Sequence, residues 1–237
     1  MSIFDPTTLS AAEFSALRLS LEIALAAAAA VTVPGIACGW LLSRRSFPGK
    51  SLLEGVVHAP LVMPPVVTGY LLLILLGRNG VIGSWLNDSF GITLAFSAAG
   101  AAAASAVVSF PLMVRSVRLA VDLVDPKLEE AARTLGASRP GTFFTVTLPL
   151  AIPGIVAGFV LAFARSLGEF GATITFAGNI PGRTQTIPMA IYNALQAPGG
   201  DDPVLRLTVL SLLLCFLALA ASEILARKAR LRLGLES

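Results

Sequence analysis

The residue types that support covalent or metal chemistry are scarce in this chain. It has one histidine, His58, and two cysteines, Cys38 and Cys215, which both fall inside apolar runs and show no metal-ligand spacing. Hydrolysis within a membrane needs a Ser-His pair, two aspartates or a metal in the spans, and a single histidine with no intramembrane aspartate pair does not supply it. Residues 49–51 read G-K-S, the last letters of a phosphate-binding loop, but the full pattern requires glycine at position 44, where Arg44 stands, and no strand precedes it. No catalytic residue, metal site or cofactor is therefore expected. The chemistry that remains is electrostatic. Arg165 and Glu169 lie one helical turn apart, with Ser166 beside them, in the run A-R-S-L-G-E-F-G-A-T. A charge at mid-membrane costs about 2.5–3.5 kcal/mol on insertion scales, so such residues face protein or water. Two readings stand: the pair lines a polar route, or it neutralises itself and merely orients its helix.

The elements that must carry these groups are membrane helices. Hydrophobic residues make up 55% of the 237 positions and charged residues only 13%, with a mean hydropathy of +0.82, whereas soluble domains carry about 25% charged residues. An all-α polytopic membrane protein with about five transmembrane helices is expected, as a single domain over 1–237. The expected spans are 19–42, 53–76, 92–115, 148–172 and 206–226, each near the roughly 20 residues that a bilayer requires. Residues 1–18 are mildly amphipathic and read as an interfacial segment ahead of the first span. The apolar run that follows is too long for a cleaved leader and lacks its small-residue site. Gly35 with Gly39, and Gly154 with Gly158, form G-x-x-x-G pairs that signal close helix packing. The second span is interrupted by Pro60, Pro64 and Pro65, followed by Thr68 and Gly69. Prolines release backbone carbonyls that protein, a cavity or hydroxyl side chains must satisfy, so Pro64, Pro65 and Thr68 mark either a pathway lining or a packed kink.

Twelve of the seventeen Lys and Arg residues fall in 43–51, in 115–147 and in the tail beyond 226. The positive-inside rule puts all three in the cytoplasm, which with five spans makes the N-terminus periplasmic and the C-terminus cytoplasmic. A sixth, shorter segment within 173–198 would have to re-enter the membrane. The net charge of +3 comes from these clusters rather than from one basic face, so no nucleic acid partner is expected. About a hundred residues in the spans are too few to enclose a substrate route, which favours a homodimer around a central axis.

The loop 116–147 carries the most specific pattern. Asp125 is a candidate N-cap, Pro126 fits a first helical turn, 127–135 holds good helix formers and Gly136 is a stop signal. Glu130, Ala131 and Ala132 lie close together on this short helix. Three residues then lead to Gly136, and nine more to Val146, Thr147, Leu148 and Pro149. This spacing resembles the EAA loop of bacterial ATP-binding cassette importer permeases, with Val146 where that family usually has Ile. The strings at 46–56, 59–69 and 163–176 are similar to permeases for tetrahedral oxyanions. The G-E-F-G element at 168–171 is shared with sulfate and thiosulfate permeases, while G-E-F-G-A-T-I-T-F together with N-I-P-G-R-T-Q-T-I-P-M-A-I-Y looks most like molybdate permeases.

The resemblance implies a type I importer permease fold in the bacterial inner membrane, surrounded by membrane lipid, and a translocation pathway for molybdate, with tungstate not separable from it. It implies a homodimer, two cytoplasmic ATP-binding cassette ATPase subunits that hydrolyse the ATP, and a periplasmic molybdate-binding protein. Glu130, Ala131, Ala132, Gly136 and Pro149 would then couple to the ATPase. A sulfate or thiosulfate permease is the alternative. A self-contained channel or carrier, with Arg165 and Glu169 coupling ion movement, leaves the E-A-A pattern unexplained.

Overall fold

The structure is a computed structural model that describes residues 9–198 and 200–232. These form the helices α1 (Ala11–Arg44), α2 (Lys50–Val62), α3 (Pro65–Leu76), α4 (Val81–Phe90), α5 (Ala98–Asp122), α6 (Pro126–Thr134), α7 (Arg139–Thr142), α8 (Leu148–Leu167), α9 (Gly171–Ala177), α10 (Ile187–Leu195) and α11 (Asp201–Arg232). A π-helical turn, Phe143–Thr147, joins α7 to α8. Four helical stretches are long and apolar enough to cross a membrane, and the bent pair α2 and α3 makes a fifth if it counts as one span. The chain is an all-α membrane protein of the expected size.

The core is a three-helix packing of α1, α5 and α8. Ala28, Val31, Met113, Val117, Val121, Ala151 and Ala162 form its buried centre. Both G-x-x-x-G pairs face α5. A methyl group on Gly39 would sit 2.8 Å from Val117 Cβ, and one on Gly158 would sit 2.8 Å from Met113 Sδ. Glycine at these positions lets the backbones approach closely, which replaces the hydrophobic driving force that lipid cannot supply between helices. Ser116 then donates from Oγ to the Gly154 carbonyl at 2.9 Å.

Three boundaries differ from the sequence reading. Helix α1 starts at Ala11, so 11–18 continues directly into the first span rather than forming a segment of its own; residues 1–8 lie outside the described residues. The reason is a capping box: Ser10 N–H donates to Glu13 Oε2 at 2.7 Å, and Glu13 N–H donates to Ser10 Oγ at 3.2 Å. Its 34 residues extend about 51 Å at 1.5 Å per residue, more than the hydrocarbon needs. The stretch expected as a second span is two helices bent by 116° at Met63 and Pro64. Pro64 forces Met63 into an extended conformation, and Pro65 opens the next helix as its first residue. The apolar run expected as one span over 148–172 breaks after Leu167, and α9 begins at Gly171.

Smaller differences follow the same logic. The third span starts only at Ala98, capped by Ser97 Oγ, which accepts from Gly100 N–H at 3.0 Å, and runs on to Asp122. The segment between the expected second and third spans contains α4, whose Ile82, Trp85 and Phe90 are exposed. The stretch 187–195 is the helix α10, tied to α1 by the Ile187 N–H donating to Ser20 Oγ at 2.7 Å.

Candidate functional site

Two groups of sequence-selected residues are placed by breaks in the helices. The first is where α3 meets the interruption between α8 and α9. Gly69 lets α3 approach so closely that a methyl group there would lie 2.6 Å from the Ala172 carbonyl oxygen, and one on Gly171 would lie 2.7 Å from Pro65 Cβ. The Pro64–Pro65 break and the break around Glu169 therefore sit backbone to backbone.

Glu169 stands in the interruption, buried, and both of its carboxylate oxygens are engaged. Oε2 faces Arg165 Nη1 at 2.8 Å, and Oε1 accepts from the Ala172 N–H at 2.8 Å. The carboxylate thus ties the last turn of α8 to the first turn of α9. Arg165 is 32% exposed at its side chain, so the guanidinium, with five donors in all, keeps part of its donor capacity outside this pair. Thr68 and Ser166 are buried, and neither hydroxyl has a hydrogen-bond partner. Native interiors rarely leave such groups unpaired. Pro64 and Pro65 are exposed beside them in sequence. The structure holds Pro65 against Gly171, keeps Arg165 and Glu169 paired, and places Ser166 in the same last turn of α8.

The second group is the short helix α6. Asp125 caps it, its Oδ1 accepting from Lys127 N–H at 2.9 Å, and Pro126 opens it. Gly136 follows with φ +93°, the left-handed conformation that favours glycine. Glu130 and Ala131 are exposed and Ala132 is half-buried. Exposed leucines flank them, Leu128 at 49% and Leu135 at 88%, so the outward surface is small at its centre and apolar at its edges.

Glu129, which the sequence reading did not single out, holds this helix to the body. Its Oε1 accepts from Arg44 Nε at 3.1 Å and from Thr147 Oγ1 at 2.6 Å, and Arg44 Nη2 also donates to the Val124 carbonyl at 2.9 Å. One carboxylate thereby links α6 to the end of α1 and to the π-helical turn that precedes α8. Pro149 lies inside the continuous helical stretch that runs from Arg139 to Leu167. It cannot donate to the carbonyl of Thr145 four residues earlier, and the π-helical turn ahead of it is where the helix accommodates that lost bond. Sequence separation hid the Glu129 link, because Arg44 is 85 residues away.

His58 is spent on its own helix, its Nδ1 donating to the Glu54 carbonyl at 2.8 Å. Among the described residues no three His, Cys, Asp or Glu side chains gather where a metal could sit. What the geometry offers is a buried polar junction between interrupted helices and an exposed face of α6 tied to the core through Glu129.

The model of the family described as binding-protein-dependent transport system inner membrane component matches residues 35–231. The Molybdenum transport system permease protein ModB of Escherichia coli is 58% identical over 94% of this chain and 97% of its own length. The protein of that name from Haemophilus influenzae is 52% identical over the same shares. The Sulfate transport system permease protein CysT of Escherichia coli is 40% identical over 77% of this chain and 65% of its own length. Among solved structures, a bacterial ABC transporter involved in the import of alginate has a TM-score of 0.73 at 16% identity, covering 93% of this chain and 80% of that one, and shows the same fold. An amino acid ABC transporter has a TM-score of 0.66 at 18% identity, covering 92% and 94%. Matched by that family model over residues 35–231 and by relatives of 52–58% identity over nearly its whole length, the chain belongs to the family of inner membrane components of binding-protein-dependent transport systems.

Proposed function

We propose that this chain is the permease subunit that forms the route for molybdate, and for tungstate by the same chemistry, across the bacterial inner membrane. The observation that carries the substrate is the gradient of similarity: identity to the molybdenum permeases is well above that to the sulfate permease and runs over nearly the whole chain. In this reading two copies form the pathway as a homodimer, two ATPase subunits dock on the cytoplasmic side, and a periplasmic binding protein delivers the oxyanion. The N-terminus is periplasmic and the C-terminus cytoplasmic, because the basic flanks at 43–51, 115–147 and beyond 226 lie inside.

Glu130, Ala131, Ala132 and Gly136 form the surface on which the ATPase acts. Its closure is passed on through Glu129, which engages both α1 and the π-helical turn. Pro149 and the π-helical turn set the direction in which α8 leaves. The far end of α8 carries Arg165 and Ser166 and leads to Glu169, so a displacement of α6 reaches the junction with Pro64, Pro65 and Thr68 along one rigid element. The free donors of Arg165 and the hydroxyls of Thr68 and Ser166 suit a dianion in transit. Keeping Arg165 partly neutralised by Glu169 holds affinity low enough for release.

The substrate assignment is tested by competition. In vesicles holding the full transporter with its binding protein, uptake of labelled molybdate should fall with excess tungstate and persist in a large excess of sulfate. Efficient sulfate uptake through the same complex would move the chain to the sulfate class.

A further inference from the structure

A groove lies between α1 and the π-helical turn, beside the Glu129 tie to Arg44 and Thr147. It encloses about 940 Å³. Its wall is apolar and aromatic, with Ile36 and Trp40 from α1 facing Phe143 and Phe144. Trp40 meets Phe143 edge to face, ring centres 5.6 Å apart, and Phe143 meets Phe144 in the same way at 5.1 Å. The mouth is cationic. Arg44, Arg45, Arg133 and Arg139 line it, and Glu129 is the one acid among the lining residues. Glu129 is already taken by Arg44 and Thr147. Arg45 and Arg139 are exposed and have no carboxylate partner among the described residues, and Arg133 makes only a bond to the Glu129 carbonyl. Arg45 stands over the Trp40 ring, 5.9 Å from its centre.

An apolar, aromatic wall beneath arginines that lack a carboxylate partner among the described residues matches one ligand class in shape and charge. We propose that this groove binds an anionic phospholipid of the leaflet next to α6. Its phosphate lies among Arg45, Arg133 and Arg139, and its acyl chains lie along Ile36, Trp40, Phe143 and Phe144. A small free oxyanion would use the arginines and leave the wall empty, and a zwitterionic lipid would fill the wall without compensating the mouth. The bound lipid bridges the end of α1, the coupling helix and the loop before α8. The inference rests on the placement of α6 at the membrane surface and not on the substrate.

The chain has two tryptophans, so Trp85→Phe leaves Trp40 as the sole fluorophore. The purified permease with this change is reconstituted in phosphatidylcholine vesicles that contain either brominated-chain phosphatidylglycerol or brominated-chain phosphatidylcholine at equal mole fraction. Trp40 should be quenched at a much lower fraction of the anionic lipid. Arg45→Gln with Arg139→Gln should weaken that preference by about fivefold per arginine, close to 25-fold for the pair. Inorganic phosphate in excess should leave the quenching in place. Equal quenching by the two lipids, as a protein segment filling the groove would give, overturns the proposal. So does a preference that survives in the double variant, or one that phosphate abolishes. Native mass spectrometry of the unaltered protein drawn from an equimolar mixture checks the same point without a variant: retention of phosphatidylglycerol over phosphatidylcholine supports the site, and no preference overturns it. None of these readouts involves transport, so their failure would leave the permease reading untouched.

Discussion

Gly136 ends α6, the proposed coupling helix, at φ +93°, and a methyl group built on it would meet nothing within 4 Å beyond its own chain neighbours. Substitution there is opposed by backbone conformation alone. The turn is fixed by the Gly136 N–H bonding to the Arg133 carbonyl and the Ala137 N–H to the Ala132 carbonyl, both at 3.0 Å, and any residue can make these bonds if it accepts the dihedral. Alanine in the left-handed region costs about 1–2 kcal/mol, and β-branched valine falls in the upper part of about 1–3 kcal/mol. Asparagine visits this region readily and should cost well under 1 kcal/mol or so. A loss of 1–2 kcal/mol corresponds to roughly a 5- to 30-fold loss in the population of the docking-competent turn. Affinity of the purified permease for its ATPase subunit, measured with ATP-driven uptake, should therefore rank glycine and asparagine together, then alanine, then valine, with all four proteins present in the membrane. If asparagine is as damaging as valine, bulk at the surface is responsible and the conformational argument fails. Wild-type behaviour in all three would remove the turn from the coupling mechanism.

Other outcomes follow from the same geometry. Glu129→Ala removes the bonds to Arg44 and Thr147 and should cost about 1.5–3 kcal/mol, the range for a charge-assisted bond, seen as a lower unfolding temperature and poorer use of ATP hydrolysis for uptake; an unchanged unfolding temperature would refute the tie. Arg165→Ala should reduce uptake while the complex still assembles, because the buried Glu169 carboxylate keeps its hydrogen bond from the Ala172 N–H at 2.8 Å; loss of assembly would make the pair structural. Full uptake in Arg165→Ala with Glu169→Ala would reduce the pair to mutual neutralisation. With Cys38 and Cys215 replaced, single cysteines at Ser46 and Ser138 should be shielded from an impermeant thiol reagent in whole cells, and those at Asn87 and Asn179 should react. Labelling of the cysteine at Ser138 from outside would reverse the proposed orientation.

Local signals are legible in the sequence, and long-range ones are not. Asp125 as cap and Gly136 as stop bracket α6 because both act within a few residues of themselves. The G-x-x-x-G pairs announced close packing, although only the structure names α5 as the surface they share. Ser10 and Glu13 are a capping box legible in the sequence, and it marks the observed start of α1. The prolines at 64 and 65 announced a break but not its 116° angle, which depends on how α3 lies against α9. The interruption after Leu167 was masked by apolar residues on both sides. The link from Glu129 to Arg44 joins positions 85 apart and has no sequence signature. Leu128 and Leu135 look like ordinary amphipathic positions until their exposure is seen.

The central claim is that this chain moves its substrate only when an ATPase acts through α6. Purified permease reconstituted with its ATPase subunit, with binding protein and labelled molybdate on the periplasmic side, tests it directly. The account predicts uptake that requires ATP on the ATPase side, requires both partner proteins, and fails when Ala132→Trp blocks the docking face. Uptake that continues without ATP or without the ATPase subunit would contradict it and identify a self-sufficient channel or carrier.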